Sequence, residues 1–241
     1  MYKLFARIAA CILLVAAPAQ AANFGVSPLS LDLHSQQRSG VVTVTNDDTK
    51  PVQIRVRLMR WSQDADGADK YDPSDDLVFF PKRLDLKPGE QKIVRAGING
   101  APAGSERAYR LFVEELPPAE LPSDGQTKLS VLLTFALPIF VAPAPGRSQL
   151  ASAAAEMTAD GRLTLALRND GSARARISRL LAVDGTPLSD ALSARYVFPG
   201  TSRTIIAELG AGACSRKISA VKLDLDTSSV EVPVSQTLCK R

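Results

Sequence analysis

Apolar and polar residues alternate along most of this chain in short blocks, as in Val41 to Thr45, Val52 to Leu58, Ile93 to Ile98, Leu163 to Leu167, Tyr196 to Phe198 and Val221 to Leu225. A period of two sends successive side chains to opposite faces of a pleated strand, so each block predicts a strand with one buried face. Turn chemistry separates the blocks: Asn46-Asp47-Asp48, Lys87-Pro88-Gly89-Glu90, Asp160-Gly161, Asn169-Asp170-Gly171 and Asp184-Gly185. Such runs supply positive φ or local side-chain hydrogen bonds. No segment keeps an apolar period of 3.6 beyond about ten residues. The pattern predicts an all-β chain. At Ala142-Pro143-Ala144-Pro145-Gly146 two prolines remove main-chain donors and fix φ. This suits an elbow between domains better than a ladder, and predicts one domain over 22–143 and another over 148–241. Each half holds about seven candidate strands, the number of an immunoglobulin-like sandwich. Neither half carries that fold's intradomain Cys, Trp, Cys pattern.

The segment from Gln126 to Pro143 departs from the common pattern. Leu129, Val131, Leu133 and Phe135 share one face while Ser130, Leu132, Thr134 and Ala136 share the other, and Leu137-Pro138-Ile139-Phe140-Val141 continues as an almost unbroken apolar run. A single strand of about 15 residues would be more than twice the usual length and would project past its own sandwich. Two readings stay open. One is a last strand buried on both faces. The other is an exposed edge that offers apolar side chains and main chain to another protein, since soluble proteins otherwise blunt such edges.

Charge and cysteine content change the picture once the N-terminus is read. Lys3 and Arg7, the apolar run Ile8 to Ala17 and the ending Ala19-Gln20-Ala21 have the form of a secretory signal cleaved after Ala21. Losing Lys3 and Arg7 lowers the formal net charge from +4 to +2, too little to argue for nucleic acid. Losing Cys11 leaves Cys214 and Cys239, an even pair in an oxidising compartment, for which a disulfide is the natural reading. No later run is long and apolar enough to span a membrane.

Little else in the composition points to chemistry. A single histidine, His34, excludes multi-histidine metal sites and leaves a triad nothing else to use. The acidic run Asp64, Asp66, Asp69, Asp72, Asp75 and Asp76 misses the EF-hand spacing, because Gly67 is fourth and Asp75 twelfth, so a solvated hairpin loop is expected. No serine stands in a Gly-x-Ser-x-Gly elbow. A non-enzymatic protein without cofactor or metal is expected. A secreted β-sandwich adhesin or carbohydrate-binding module is the rival class, and aromatic residues at 5% with one Trp weigh against its platform.

Several runs are similar to those of a known family: Trp61-Ser62-Gln63, Asp76 to Pro81, Leu86 to Arg95, Tyr109 to Pro117, and Pro138-Ile139-Phe140-Val141-Ala142-Pro143. With export and two sandwiches, they resemble the periplasmic pilus-assembly chaperones of the PapD-like superfamily, in particular the archaic (spore coat U type) branch. The resemblance covers nearly all of the first domain; the second matches only in length, strand rhythm and the late cysteine pair. It implies two immunoglobulin-like domains in a bent arrangement and a chaperone that lends an edge strand, about Lys128 to Phe135, to an incomplete pilus subunit. Leu129, Val131, Leu133 and Phe135 would then fill the subunit's groove until an outer-membrane usher takes the subunit. The family's basic residues that anchor the C-terminus of a bound pilin fall here on Ser30 and Pro138. Arg110 and Arg95 are the candidate replacements, Arg110 being equally open to a solvent-facing or salt-bridged role and Arg95 to an interdomain network with Glu106 and Asp226. Partners are pilins and an usher, and self-association of the free chain through its bare edge stays open.

Overall fold

The computed structural model describes residues 24–64, 68–100, 104–117, 131–143, 145–189, 192, 195–210, 212–216, 218–226 and 228–239 of the 241-residue chain. The signal segment, part of the acidic loop and Leu129 lie outside them. Ten strands come first: β1 (Phe24–Ser27), β2 (Leu31–Leu33), β3 (Ser39–Asn46), β4 (Val52–Gln63), β5 (Asp69–Asp72), β6 (Leu77–Phe80), β7 (Arg83–Leu86), β8 (Gln91–Ile98), β9 (Arg107–Glu115) and β10 (Thr134–Val141). One sheet has the order β1-β3-β8-β6; the other runs β2-β10-β9-β4-β5, with β7 also on β4. Their inner faces close one core, in which Val42, Val44, Val94 and Ala96 of the first sheet join Ile54, Val56, Leu111, Val113, Leu137 and Ile139 of the second. Each large aliphatic side chain buried there contributes on the order of 2 kcal/mol.

Nine more strands follow: β11 (Leu150–Thr158), β12 (Arg162–Asn169), β13 (Ala175–Ala182), β14 (Pro187–Ser189), β15 (Tyr196–Val197), β16 (Ser202–Glu208), β17 (Ala220–Leu225), β18 (Ser229–Pro233) and β19 (Ser235–Leu238). They form sheets β16-β12-β11-β19 and β14-β13-β17-β18, with β15 on β13, around a second core that includes Met157, Leu165, Ile177, Ile205 and Leu223. All six alternating blocks lie on strands, apart from Phe198, which follows β15.

The turns follow from their residues. Gly89, Gly161 and Gly185 take φ of +72°, +81° and +89°, a region closed to most side chains. Strands β4 and β5 pair as a hairpin at the start of the acidic run, and the Asp64 carboxylate accepts the Ala68 N–H at 2.8 Å. Asn46 and Asn169, each at the end of a strand, are fully buried. Asn46 Nδ2 donates to Lys50 O (2.8 Å) and Leu86 O (3.1 Å); Asn169 Nδ2 donates to Ala173 O (2.8 Å) and Val197 O (2.9 Å). Their Oδ1 atoms accept the N–H groups of Asp48 and of Gln149 and Gly171, so both amides tie separate loops together without an unmet group.

Cys214, in the short 3-10 turn Ala213–Arg216, is joined to Cys239 just past β19, with Cα atoms 5.6 Å apart. The bond pins a four-residue C-terminal strand that, among the described residues, pairs only with β11. Replacing both cysteines with serine should lower unfolding free energy by about 3 kcal/mol through the freed loop, read as a drop in urea midpoint against the oxidised wild type.

Candidate functional site

Strand β10 has two different halves. Leu137, Ile139 and Val141 point into the first core, while Phe140, on the opposite face, is only 1% exposed because the second domain covers it. The apolar run is therefore explained by burial on both faces at the domain junction. Toward its start the strand opens: Thr134 and Ala136 are exposed, Leu133 and Phe135 half-buried against the core, and Val131 stands 65% exposed. Phe135 meets Phe24 edge to face at 5.1 Å. The strand within the described residues is eight residues long, not 15, and Glu115 N–H to Leu133 O (2.9 Å) extends its ladder by one position.

On one side β10 pairs with β9 along its whole length, Thr134 opposite Glu114 through Val141 opposite Arg107. On the other, β2 runs parallel to it only from Ile139 to Val141. Among the described residues, Thr134 to Pro138 have no strand on that outer rim. Ala142 N–H bonds Leu33 O (2.9 Å) on this side. Pro138 shares Ala142's parity, so its missing donor falls on the rim where the β2 ladder stops.

The other outward-facing residues of this sheet build the junction. Strand β4 alternates strictly from Val52 to Leu58, then breaks phase at Trp61, an outward residue that is only 3% exposed. Trp61 packs edge-on to Phe198 (ring centroids 4.6 Å) and Tyr196 (5.8 Å) of the second domain and lies 6.2 Å from Phe140. Arg110 lies across the Trp61 ring at 3.6 Å and donates to Ala136 O at 3.0 Å. Its Nε is buried without a hydrogen bond, and among the described residues no carboxylate pairs with it. A delocalised guanidinium stacks on an aromatic face at lower desolvation cost than an ammonium would.

Arg174, from the loop before β13, reaches back into the first domain. It donates to Glu106 Oε2 at 2.8 Å and Asp32 at 2.6 Å, its main-chain N–H bonds Glu106 Oε1 at 3.1 Å, and its guanidinium covers Phe140 at 3.6 Å. Glu106 N–H in turn bonds Ser172 O at 2.8 Å. Burial pushes the Glu106 carboxyl above its ordinary value, against the pull of Arg174. Nearby, Asp76 accepts from Tyr109 Oη at 2.8 Å and faces Arg107 at 3.2 Å and Arg60 at 3.9 Å. The Tyr109 hydrogen bond, ahead of Arg107, holds the Asp76 carboxyl low, and burial with this carboxylate pushes Tyr109 up to about 12. A cavity of about 150 Å³ opens between Arg60, Arg107 and the turn at Phe198 and Thr201.

The expected network of Arg95, Glu106 and Asp226 needs correction. Arg95 lies on the outward face of the β1-β3-β8-β6 sheet, between Val41 and Phe80. Glu106 is held by Arg174, and Asp226 pairs with Arg176 at 2.9 Å. Three acids and bases can be matched by type in a sequence, but strand parity and sheet assignment decide which of them meet. Ser30 is exposed in the loop before β2, and Pro138 lies opposite Arg110. His34 sits in a turn, Nδ1 2.9 Å from Gln36 Oε1.

Two tandem immunoglobulin-like sandwiches that share a junction strand with a bare outer rim define the class of protein. The chain belongs to the pili and flagellar-assembly chaperone family, whose PapD N-terminal domain model matches residues 23–146. No curated protein matches the chain. Its fold is similar to that in the CsuC-CsuE chaperone-tip adhesion subunit pre-assembly complex from archaic chaperone-usher Csu pili of Acinetobacter baumannii. That match has a TM-score of 0.64 and 20% identity and covers 89% of this chain and 100% of the other. The Salmonella enterica SafA pilin in complex with the SafB chaperone gives 0.60 at 13% identity, over 89% and 97%. The E. coli chaperone DraB gives 0.56 at 15%, over 90% and 98%.

Replacing Arg174 with Ala strands Glu106 as a buried carboxylate, and a loss of about 3 kcal/mol is expected. A carboxyl raised on folding binds its proton more tightly in the folded chain, so the stabilisation from that proton appears as pH falls through the folded value and is complete below the unfolded one. Without Arg174 the rise is larger, so the deficit relative to wild type should shrink between about pH 7.5 and about pH 5 in urea unfolding. A pH-independent deficit would place the loss elsewhere.

Proposed function

We propose that this chain is a periplasmic, non-enzymatic chaperone of the archaic chaperone-usher type that holds pilus subunits by lending them β10. The observation that carries the reading is the outer rim from Thr134 to Pro138, bare of strand partners among the described residues and preceded by exposed Val131 and Leu132. An incomplete subunit would add a strand to this rim, main chain supplying affinity and alternate side chains supplying fit. Leu129, Val131 and Leu133 enter its groove, and Phe135 forms the seam between the two cores. The chain is exported by a signal ending at Ala21, residues 22–143 form the donor domain and 148–241 the second domain, and an usher receives the pilin. Solved relatives such as CsuC-CsuE and SafB-SafA, each a chaperone paired with a pilus subunit, motivate this assignment.

A Val131→Asp chaperone, coexpressed with the subunit, should recover at least about tenfold less soluble subunit, because a charge replaces an aliphatic group whose burial is worth about 2 kcal/mol. Val183→Asp, at an exposed site in the second domain, is the control and should recover as much as wild type. Equal recovery by both variants would sink the donated-strand reading.

The C-terminal carboxylate of the bound pilin lies against Arg110, the guanidinium stacked on Trp61 beside Pro138. One charge-assisted contact is worth about 1.5–3 kcal/mol, so Arg110→Ala should weaken pilin binding roughly tenfold in titration calorimetry. A variant that binds the pilin as tightly as wild type removes Arg110 from the anchor.

A further inference from the structure

A long cation with no ion-pair partner among the described residues still has to be held in place, and at Arg110 a ring does it. Register puts Phe140, Ala108 and Trp61 side by side across β10, β9 and β4, with Arg110 two residues from Ala108 on the same outward face. Trp61 and Arg110 are thus diagonal neighbours, close enough for large side chains to meet. The guanidinium lies 3.6 Å from the centre of the indole ring, and Nη1 donates to Ala136 O at 3.0 Å. Together these contacts fix the rotamers of a side chain that is otherwise among the most costly to order.

Trp61 is fixed in turn from the second domain. Its Nε1 is buried without a hydrogen bond, so among the described residues ring packing orients the indole. Phe198 meets it edge to face at 4.6 Å and Tyr196 at 5.8 Å, while Phe140 closes the first-domain side at 6.2 Å. At 3% and 6% exposure, Trp61 and Phe198 have too little free surface to meet a pilin themselves. They can instead hold the group that does, since a binding group ordered beforehand loses less freedom on binding.

We propose that Trp61 is the positioning residue of the pilin anchor and that Phe198 sets Trp61, so the second domain tightens the hold on a pilin's C-terminal carboxylate through two rings that do not touch it. The proposal rests on the reading of Arg110 as that anchor. The test measures release: the full chain is coexpressed with its pilin, the complex is purified, and loss of pilin to an excess of differently tagged wild-type chaperone gives koff. Trp61→Leu and Phe198→Leu should each speed release at least about fivefold, the scale of a lost cation–π contact. In an Arg110→Met chain, which itself releases roughly tenfold faster, each should add less than about twofold, because nothing is left to position. Trp61→Phe keeps an aromatic face for the guanidinium and should stay within about twofold of wild type. Equal factors in both backgrounds would assign the rings to packing alone and overturn the proposal, as would wild-type release from both single ring variants. If Trp61→Leu yields no folded complex, the Phe198→Leu cycle decides by the same criterion. Failure of the anchor reading shows separately, as wild-type release from Arg110→Met, and takes this proposal with it.

Discussion

A strand that keeps main-chain donors and acceptors free on one rim must be held firmly somewhere else, and in this protein the junction does the holding. From Leu137 to Val141 the strand is clamped: one face lies in the first core and the other, through Phe140, lies under Trp61, Tyr196 and Phe198. Strand β2 closes the outer rim from Ile139 to Val141 and stops where Pro138 has no N–H to give. Bare rim and clamped half are thus one element, and the second domain contributes to the first by covering its outward side.

The clamp is apolar at its centre and ionic at its border. Arg174 satisfies two carboxylates of the other domain while stacking on Phe140, and Arg110 stacks on Trp61. Buried ions add little net stability over apolar replacements, yet removing one partner is costly. Such a border penalises wrong domain placements more than it deepens the right one. Glu114, on the same outward face further from the junction, is held low by hydrogen bonds from Arg57 and then Arg55, and the Arg57 guanidinium also covers Phe112 at 5.2 Å.

Much of the fold was legible because alternation has a single physical cause, one wet face and one buried face. Val52 to Leu58 and Leu163 to Leu167 show it without exception. Where a second body covers the wet face, the signal fails for a definite reason: Trp61 breaks phase and Leu137 to Val141 lose alternation because both sides are buried. The buried amides Asn46 and Asn169 read as ordinary turn residues, since an asparagine that caps its own turn and one that ties three loops look alike in one dimension.

Composition and pattern alone determined the all-β class, the cysteine pair and the odd character of the segment ending at Pro143, because each depends on local chemistry or on a count. The tertiary structure alone decided which half of β10 is clamped, that Glu106 meets Arg174 rather than Arg95, and that Arg95 lies among apolar residues on the opposite sheet. Those outcomes depend on which sheet a strand joins and which of its faces a second domain covers, and pairwise distances of that kind are set only when the chain closes on itself.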